Sequence, residues 1–280
     1  MNTALTIIGL VGLSSILAIL GRVVLLNRAF WFYRFRYSEA ADVVLTTDSE
    51  VLQRGGSGLT GDRVKTQLGY LRGLAHITTA ISRTHASKQL KVHVSEGLDE
   101  RLTGDLIVLG GTGGNFVARR MVDYVVAECG AVLGYDEADE SRNTAFVGDT
   151  EVTFDWTTWN ACGDNLTDFA VILFWVNPFL GRRRRAIWCS GFTATGTMAA
   201  CSYIDESLPK RWRRVRRERG IKWTAWPCFA LLLAIDFNDD AGYDFTEMAW
   251  QPLTLPRLPL AGHGHQSRGR FWSVTKRVDT

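Results

Sequence analysis

The stretch "DFAVILFWVN", residues 168–177, constrains the fold more than any other ten residues. It is an apolar run held between two polar ends and dominated by β-branched, aromatic and leucine side chains. Such a run is too short to cross a membrane and has no polar face, so it reads as a strand covered on both sides. "DLIVLGG" (105–111), "RAIWCSGF" (185–192) and "WPCFALLLAIDFND" (226–239) have the same character. "ADVVLTT" (41–47) is a shorter strand, and "LKVHVSE" (90–96) alternates as a half-buried one. "NTAFVGD" and "EVTFDW" read as a hairpin or edge strands joined through "GDT". With 46% hydrophobic residues the chain can bury a core, which excludes disorder as its resting state.

Helical patterns separate these strands. In "DRVKTQLGYLRGLAHITTAI" (62–81), Val64, Leu68, Leu71, Leu74 and Ile77 recur every three or four residues, with Thr60 or Asp62 available as a cap. "NFVARRMVDYVVAE" (115–128) is a second helix, with Phe116, Val117, Met121, Tyr124 and Val125 inward. "TATGTMAACSYIDESL" (193–208) reads as loop, then helix, and "NPFLGRRRR" (177–185) as a turn out of the most apolar strand. Strands alternating with helices predict an α/β fold: a three-layer Rossmann-like domain on a mixed, mostly parallel sheet.

The N-terminus is of another kind. Residues 4–20 carry no charge, and the run extends through residue 26 if Arg22 snorkels. "FWFY" (30–33) then resembles an interfacial aromatic belt. Only "MNT" precedes the run and no small-x-small site follows, which argues against a cleaved signal peptide. One N-terminal transmembrane helix is expected. Arg22, Arg28, Arg34 and Arg36 all follow the run, so the positive-inside rule puts the bulk of the chain in the cytoplasm. Five cysteines without C-x-x-C spacing agree with a reducing compartment. The expected division is 1–37 anchor and juxtamembrane segment, 38–250 cytoplasmic domain, and 251–280 a basic Pro/Gly-rich tail.

Two strand–glycine–helix junctions carry the chemistry. In "DLIVLGGTGGN", Gly110, Gly111, Gly113 and Gly114 would let a ligand approach the backbone, Asn115 caps the helix or binds a ligand oxygen, and Arg119 and Arg120 add positive charge. In "SGFTATGTMAA" (190–200), Thr193, Thr195 and Thr197 offer hydroxyls and Gly196 offers backbone access. Two such loops at the carboxyl ends of parallel strands would share a crevice. Neither matches G-x-G-x-x-G or the Lys-Ser/Thr of a P-loop, and both are also ordinary turn and cap chemistry. The pair of loops, with "NPF" between them, resembles uncharacterised prokaryotic membrane-anchored Rossmann-like modules with a GG-x-x-x-N loop. More distantly it is similar to nucleoside-deoxyribosyltransferase-like and TIR-like folds, which implies a catalytic glutamate near the strand ends. Glu96 is the one glutamate this nominates.

The remaining signals are weaker. "DFNDD" (236–240) could take Mg²⁺ or merely turn, and Asp149, Glu151 and Asp155 share a strand face. His263 and His265 lie in the tail. No zinc or metalloprotease spacing occurs, so no metal is expected, and no cofactor can be named. "PKRWRRVRRERGIK" (209–222) holds eight Lys or Arg, with Trp212, Trp223 and Trp226 nearby, and "GRRRR" (181–185) adds four. Arg213, Arg214, Arg216 and Arg217 are the expected lipid-facing residues. Anionic lipid headgroups are favoured over nucleic acid because the anchor would hold the domain at a membrane. The leading reading is a nucleotide- or phosphate-ligand-binding sensor or effector. The alternatives are a nucleotide- or nucleoside-bond-cleaving enzyme, with Glu96 or a carboxylate of 236–240 as acid–base group, and a structural protein whose glycine loops only turn.

Overall fold

The computed structural model describes residues 15–18, 33, 40–46, 67–83, 89–95, 102, 104–130, 133–139, 142–156, 167–179, 181–222, 227–237 and 242–255. Most of the 4–26 run lies outside these residues, as do Thr60, Asp62, Glu96, residues 238–240, His263, His265 and the chain from 256 onward. Among the described residues no helix is long and apolar enough to cross a membrane.

Seven strands form the main sheet. They are β1 (Ala41–Leu45), β2 (Leu90–Val94), β3 (Asp105–Leu109), β7 (Thr167–Asn177), β8 (Gly181–Gly191), β9 (Phe229–Phe237) and β10 (Tyr243–Pro252), in the order β10-β9-β7-β8-β3-β1-β2. β2, β1, β3 and β8 run parallel, and β7 and β10 are antiparallel to their neighbours. The sheet is therefore mixed, with five of seven strands pointing one way. β4 (Leu133–Asp139), β5 (Arg142–Val147) and β6 (Thr150–Asp155) make a separate antiparallel sheet. Its β5–β6 hairpin turns through Gly148, at φ +62°, and Asp149, as "GDT" suggested.

The apolar runs are explained by two cores. Ile107 and Leu109, Ala170, Ile172 and Phe174, and Leu231 and Leu233 face one side. They pack there under α1 (Leu68–Ser82), α3 (Ala194–Glu206) and α4 (Leu208–Glu218). Leu106, Val108, Leu173, Trp175, Trp188 and Leu232 face the other side, under α2 (Phe116–Cys129) and the small sheet. Both faces are thus dry, as parallel strands require.

Several sequence expectations need correcting. "GRRRR" is not a turn: it opens β8, and Arg185 is buried with its N–H on Asp105 Oδ1 at 2.9 Å. In α1, Leu68 and Leu71 are exposed (60% and 45%), while Tyr70, Gly73, Ile77, Ala80 and Ile81 face in. The helix starts at Leu68 with Gln67 as an N-cap that makes no side-chain bond. Its inward stripe runs through two glycines, because α3 lies too close for larger residues. A Cβ on Gly69 would meet Ala194 O at 2.4 Å, and one on Gly73 would meet Cys201 Sγ at 3.1 Å. β4 and β10 had no clear signal. Trp175 Nε1 and Cys129 Sγ both donate to Thr254 O, so the docked chain continues past residue 250. Tyr33 of the supposed aromatic belt is 3% exposed and donates to Ile204 O at 3.0 Å, which places it in the protein core.

The glycine stripe makes a prediction that opposes helix propensity. Gly→Ala inside a helix ordinarily stabilises by about 1 kcal/mol. Gly69→Ala should instead destabilise, by about 1–3 kcal/mol, because Ala194 is backbone and cannot step aside. Urea unfolding of the two proteins measures this, and a raised midpoint for the variant would refute the close-packing account.

Candidate functional site

Parallel pairing of β3 with β8 sets Leu109 beside Cys189, so the loops after both strands leave the same edge of the sheet. Gly110 N–H donates to Cys189 O at 2.9 Å, and Trp188 Nε1 donates to Gly110 O at 2.8 Å. Thr46, after β1, donates through Oγ1 to Leu109 O at 3.0 Å. Ser95, after β2, donates to Gly114 O at 2.9 Å. Gly110 sits at φ +110°, and a Cβ there would strike Thr46 Oγ1, so this corner needs glycine.

The two loops then differ. The one after β8 already holds an anion, the carboxylate of Asp168 from β7. Asp168 Oδ2 accepts from Thr193 N–H at 3.1 Å and Thr193 Oγ1 at 2.6 Å. Its Oδ1 accepts from Phe192 N–H at 3.2 Å and Phe169 N–H at 2.6 Å. Gly196 is there to admit this group, since a Cβ would overlap Oδ2. Thr193 Oγ1 also caps Gly196 N–H at 2.9 Å, and Thr197 Oγ1 accepts from Gly191 N–H at 2.9 Å. Thr193, Gly196 and Thr197 are therefore spent on an internal carboxylate and its cap, and Thr195 is the exposed member of the nominated set.

The loop after β3 is arranged the other way. Four of its carbonyl oxygens are tied back to the protein. Gly110 O accepts from Trp188, Thr112 O from Arg119 Nη2 at 3.1 Å, Gly113 O from the same Nη2 at 3.4 Å, and Gly114 O from Ser95. In a trans peptide the N–H points opposite its carbonyl, and there are no cis bonds among the described residues. The N–H groups of Gly111 and Gly113 thus face away from these anchors, and neither donates to any described residue. Asn115 Oδ1 caps α2 by accepting from Val117 and Ala118 N–H at 3.1 and 3.2 Å. Its fully buried Nδ2 has no partner among the described residues. Arg119 stays over the loop, whereas Arg120 turns to the ring of Phe179, 5.5 Å from the centroid. Phe116, expected inside, is 37% exposed beside the glycines.

Described carboxylates at this edge are distant from that loop or engaged. Asp236 accepts from Thr167 Oγ1 and sits on β9, three strand spacings from β3, or about 14 Å. His76 is half-buried on α1, and His93 Nε2 pairs with Asp42 Oδ1 at 3.1 Å. Cys129, Cys189, Cys201 and Cys228 are free thiols.

The basic run forms α4. Leu208, Trp212 and Val215 are buried, and Trp212 stacks on Phe229 and Trp250 with centroids 5.5 and 6.3 Å apart. Lys210, Arg213, Arg214 and Arg217 line a cleft of about 530 Å³ with Glu218. Arg216 is half-buried beside them. Arg211 is different: its Nε donates to both oxygens of Glu247 at 2.9 and 2.7 Å, and Tyr203 OH donates to the same group at 2.6 Å.

Sequence reasoning missed Asp168, Ser95 and Trp188. The one signal available was an aspartate placed at the mouth of the most apolar strand. Burial pushes its carboxyl up from 3.8 to about 6, despite the hydrogen bonds that favour the ionised form. A carboxyl with a raised folded-state pKa adds stability below its unfolded pKa and loses it as pH rises through the folded one. Relative to Asp168→Asn, the wild type should therefore lose on the order of 3 kcal/mol between about pH 4 and pH 6.5. Paired urea titrations across that range test this. A difference that grows with pH means the four donors outweigh burial.

Comparison of the chain with protein-family models and with curated proteins found no match.

Proposed function

We propose that this chain binds a phosphate-bearing ligand of the nucleotide class at the loop formed by residues 110–115. The carrying observation is the pair of N–H groups on Gly111 and Gly113, unengaged among the described residues and placed just ahead of Asn115, the N-cap of α2, by carbonyls that the protein has tied back. Such a cluster of donors at a helix N-terminus suits an anion, and Arg119 adds positive charge beside it. The exposed ring of Phe116 offers an aromatic base a surface to stack on. In this reading the domain acts as a sensor or effector, held at the cytoplasmic side of a membrane by the uncharged N-terminal run.

Gly113 is exposed and is not among the positive-φ glycines, so Gly113→Val can be tolerated by the fold while its side chain crowds the donors. Full-length protein should be melted with inorganic phosphate and with purine mono-, di- and triphosphates. A ligand at about 100 times its Kd stabilises by about 2.7 kcal/mol, which is roughly 5–10 °C for a domain of this size. Gly113→Val should melt within about 2 °C of wild type when unliganded and lose the ligand shift. An equal shift in both proteins, or none in either, would sink the assignment.

A further inference from the structure

We propose that the exposed face of α4 rests on an anionic bilayer, with lipid phosphates between Lys210, Arg213, Arg214 and Arg217. These four recur at i, i+3, i+4 and i+7, so they form one stripe opposite the buried Leu208, Trp212 and Val215. None has an ion-pair partner among the described residues, and Arg213 Nε is held by its own helix, on Pro209 O at 3.2 Å. Arg211, on the same helix, is clamped by Glu247. The fold thus neutralises the cation that packs inward and leaves a row of four around one cleft, with Glu218 as the one acid among its described lining residues.

Two observations favour a membrane over nucleic acid. The first is position. Tyr33 lies in the same core as Leu208, Trp212 and Val215 and is bonded to Ile204, one helical turn before α4. Tyr33 is seven residue steps beyond the end of the apolar run at residue 26, a span of at most about 25 Å. A bilayer holding that run would lie within about 25 Å of Tyr33, whose core also holds the buried face of α4. The second is the aromatics. Single-strand binding uses exposed rings on which bases stack, whereas Trp212 faces inward, 7% exposed, against Phe229 and Trp250, and Trp223 and Trp226 lie outside the described residues. The bilayer contact does not depend on a ligand at residues 110–115.

The test uses full-length protein on vesicles of phosphatidylcholine, with and without phosphatidylserine. A membrane span would hold the chain on either, so the readout is labelling of Lys210 by a water-soluble amine reagent, followed by peptide mass. Labelling should slow at least about tenfold on the anionic vesicles only, and high salt should restore it. Arg213→Glu, Arg214→Glu and Arg217→Glu together should abolish the protection. Each cation lost weakens such a contact on the order of fivefold, about a hundredfold for three. The triple Gln variant serves if charge reversal impairs folding, and Arg211→Gln should leave the protection intact. Equal labelling on both vesicles overturns the proposal, as does protection by a single-stranded oligonucleotide but not by anionic lipid.

Discussion

Covering the central strands on both faces removes water from their ends, and much of the rest of the structure answers that constraint. Backbone groups at those ends must find protein partners. At the amino edge, Asp42 Oδ2 takes Gly104 N–H, Asp105 Oδ1 takes Arg185 N–H, and Asn177 Nδ2 gives to Leu102 O and Gly104 O. At the carboxyl edge Thr46, Ser95, Trp188 and Asp168 do the same work. On the loop after β3, by contrast, the N–H groups of Gly111 and Gly113 and the buried Nδ2 of Asn115 have no acceptor among the described residues.

The architecture was largely legible because it rests on local signals. Apolar runs marked β3, β7, β8 and β9, glycines marked the ends of β3 and β8, and Asn115 and Thr193 marked the starts of α2 and α3. What failed were matters of partner choice. Leu68 and Leu71 have helical spacing but face out, since α3 selects the glycine stripe of α1. The arginines of β8 read as a turn by composition, yet hairpin pairing with β7 draws them into the sheet and buries Arg185. β10 alternates too weakly to declare itself, and pairs because β9 offers an edge.

Tyr33 and Trp212 fail in the same instructive way. Each sits in a stretch whose composition suggests an exposed surface, an aromatic belt in one case and a basic patch with stacking rings in the other. Both rings are buried in one core, Tyr33 against Phe174 and Trp212 against Phe229, and those two phenylalanines stack with centroids 5.1 Å apart. The aromatics thus fasten the N-terminal segment and the basic helix to the same face of the sheet. Charge is left to the surface of α4 and apolar area is withdrawn from it, which is the distribution an electrostatic contact needs.

The two glycine loops show why a motif at this level names a geometry and not a ligand. Both follow buried strands, both open helices, and both bring glycine where backbone must approach an anion. After β8 that anion is Asp168, supplied by the neighbouring antiparallel strand, and Gly196 exists to admit it. After β3 the flanking strands are β8 and β1. Their end residues contribute Trp188 and Thr46, both donors, and β2 adds Ser95, a third. These donors bind carbonyl oxygens, so they turn the loop's own N–H groups outward and leave the positive end of α2 without an internal carboxylate among the described residues. The same junction is therefore closed on one strand and open on the next, and the difference lies in the charge of residues distant in sequence.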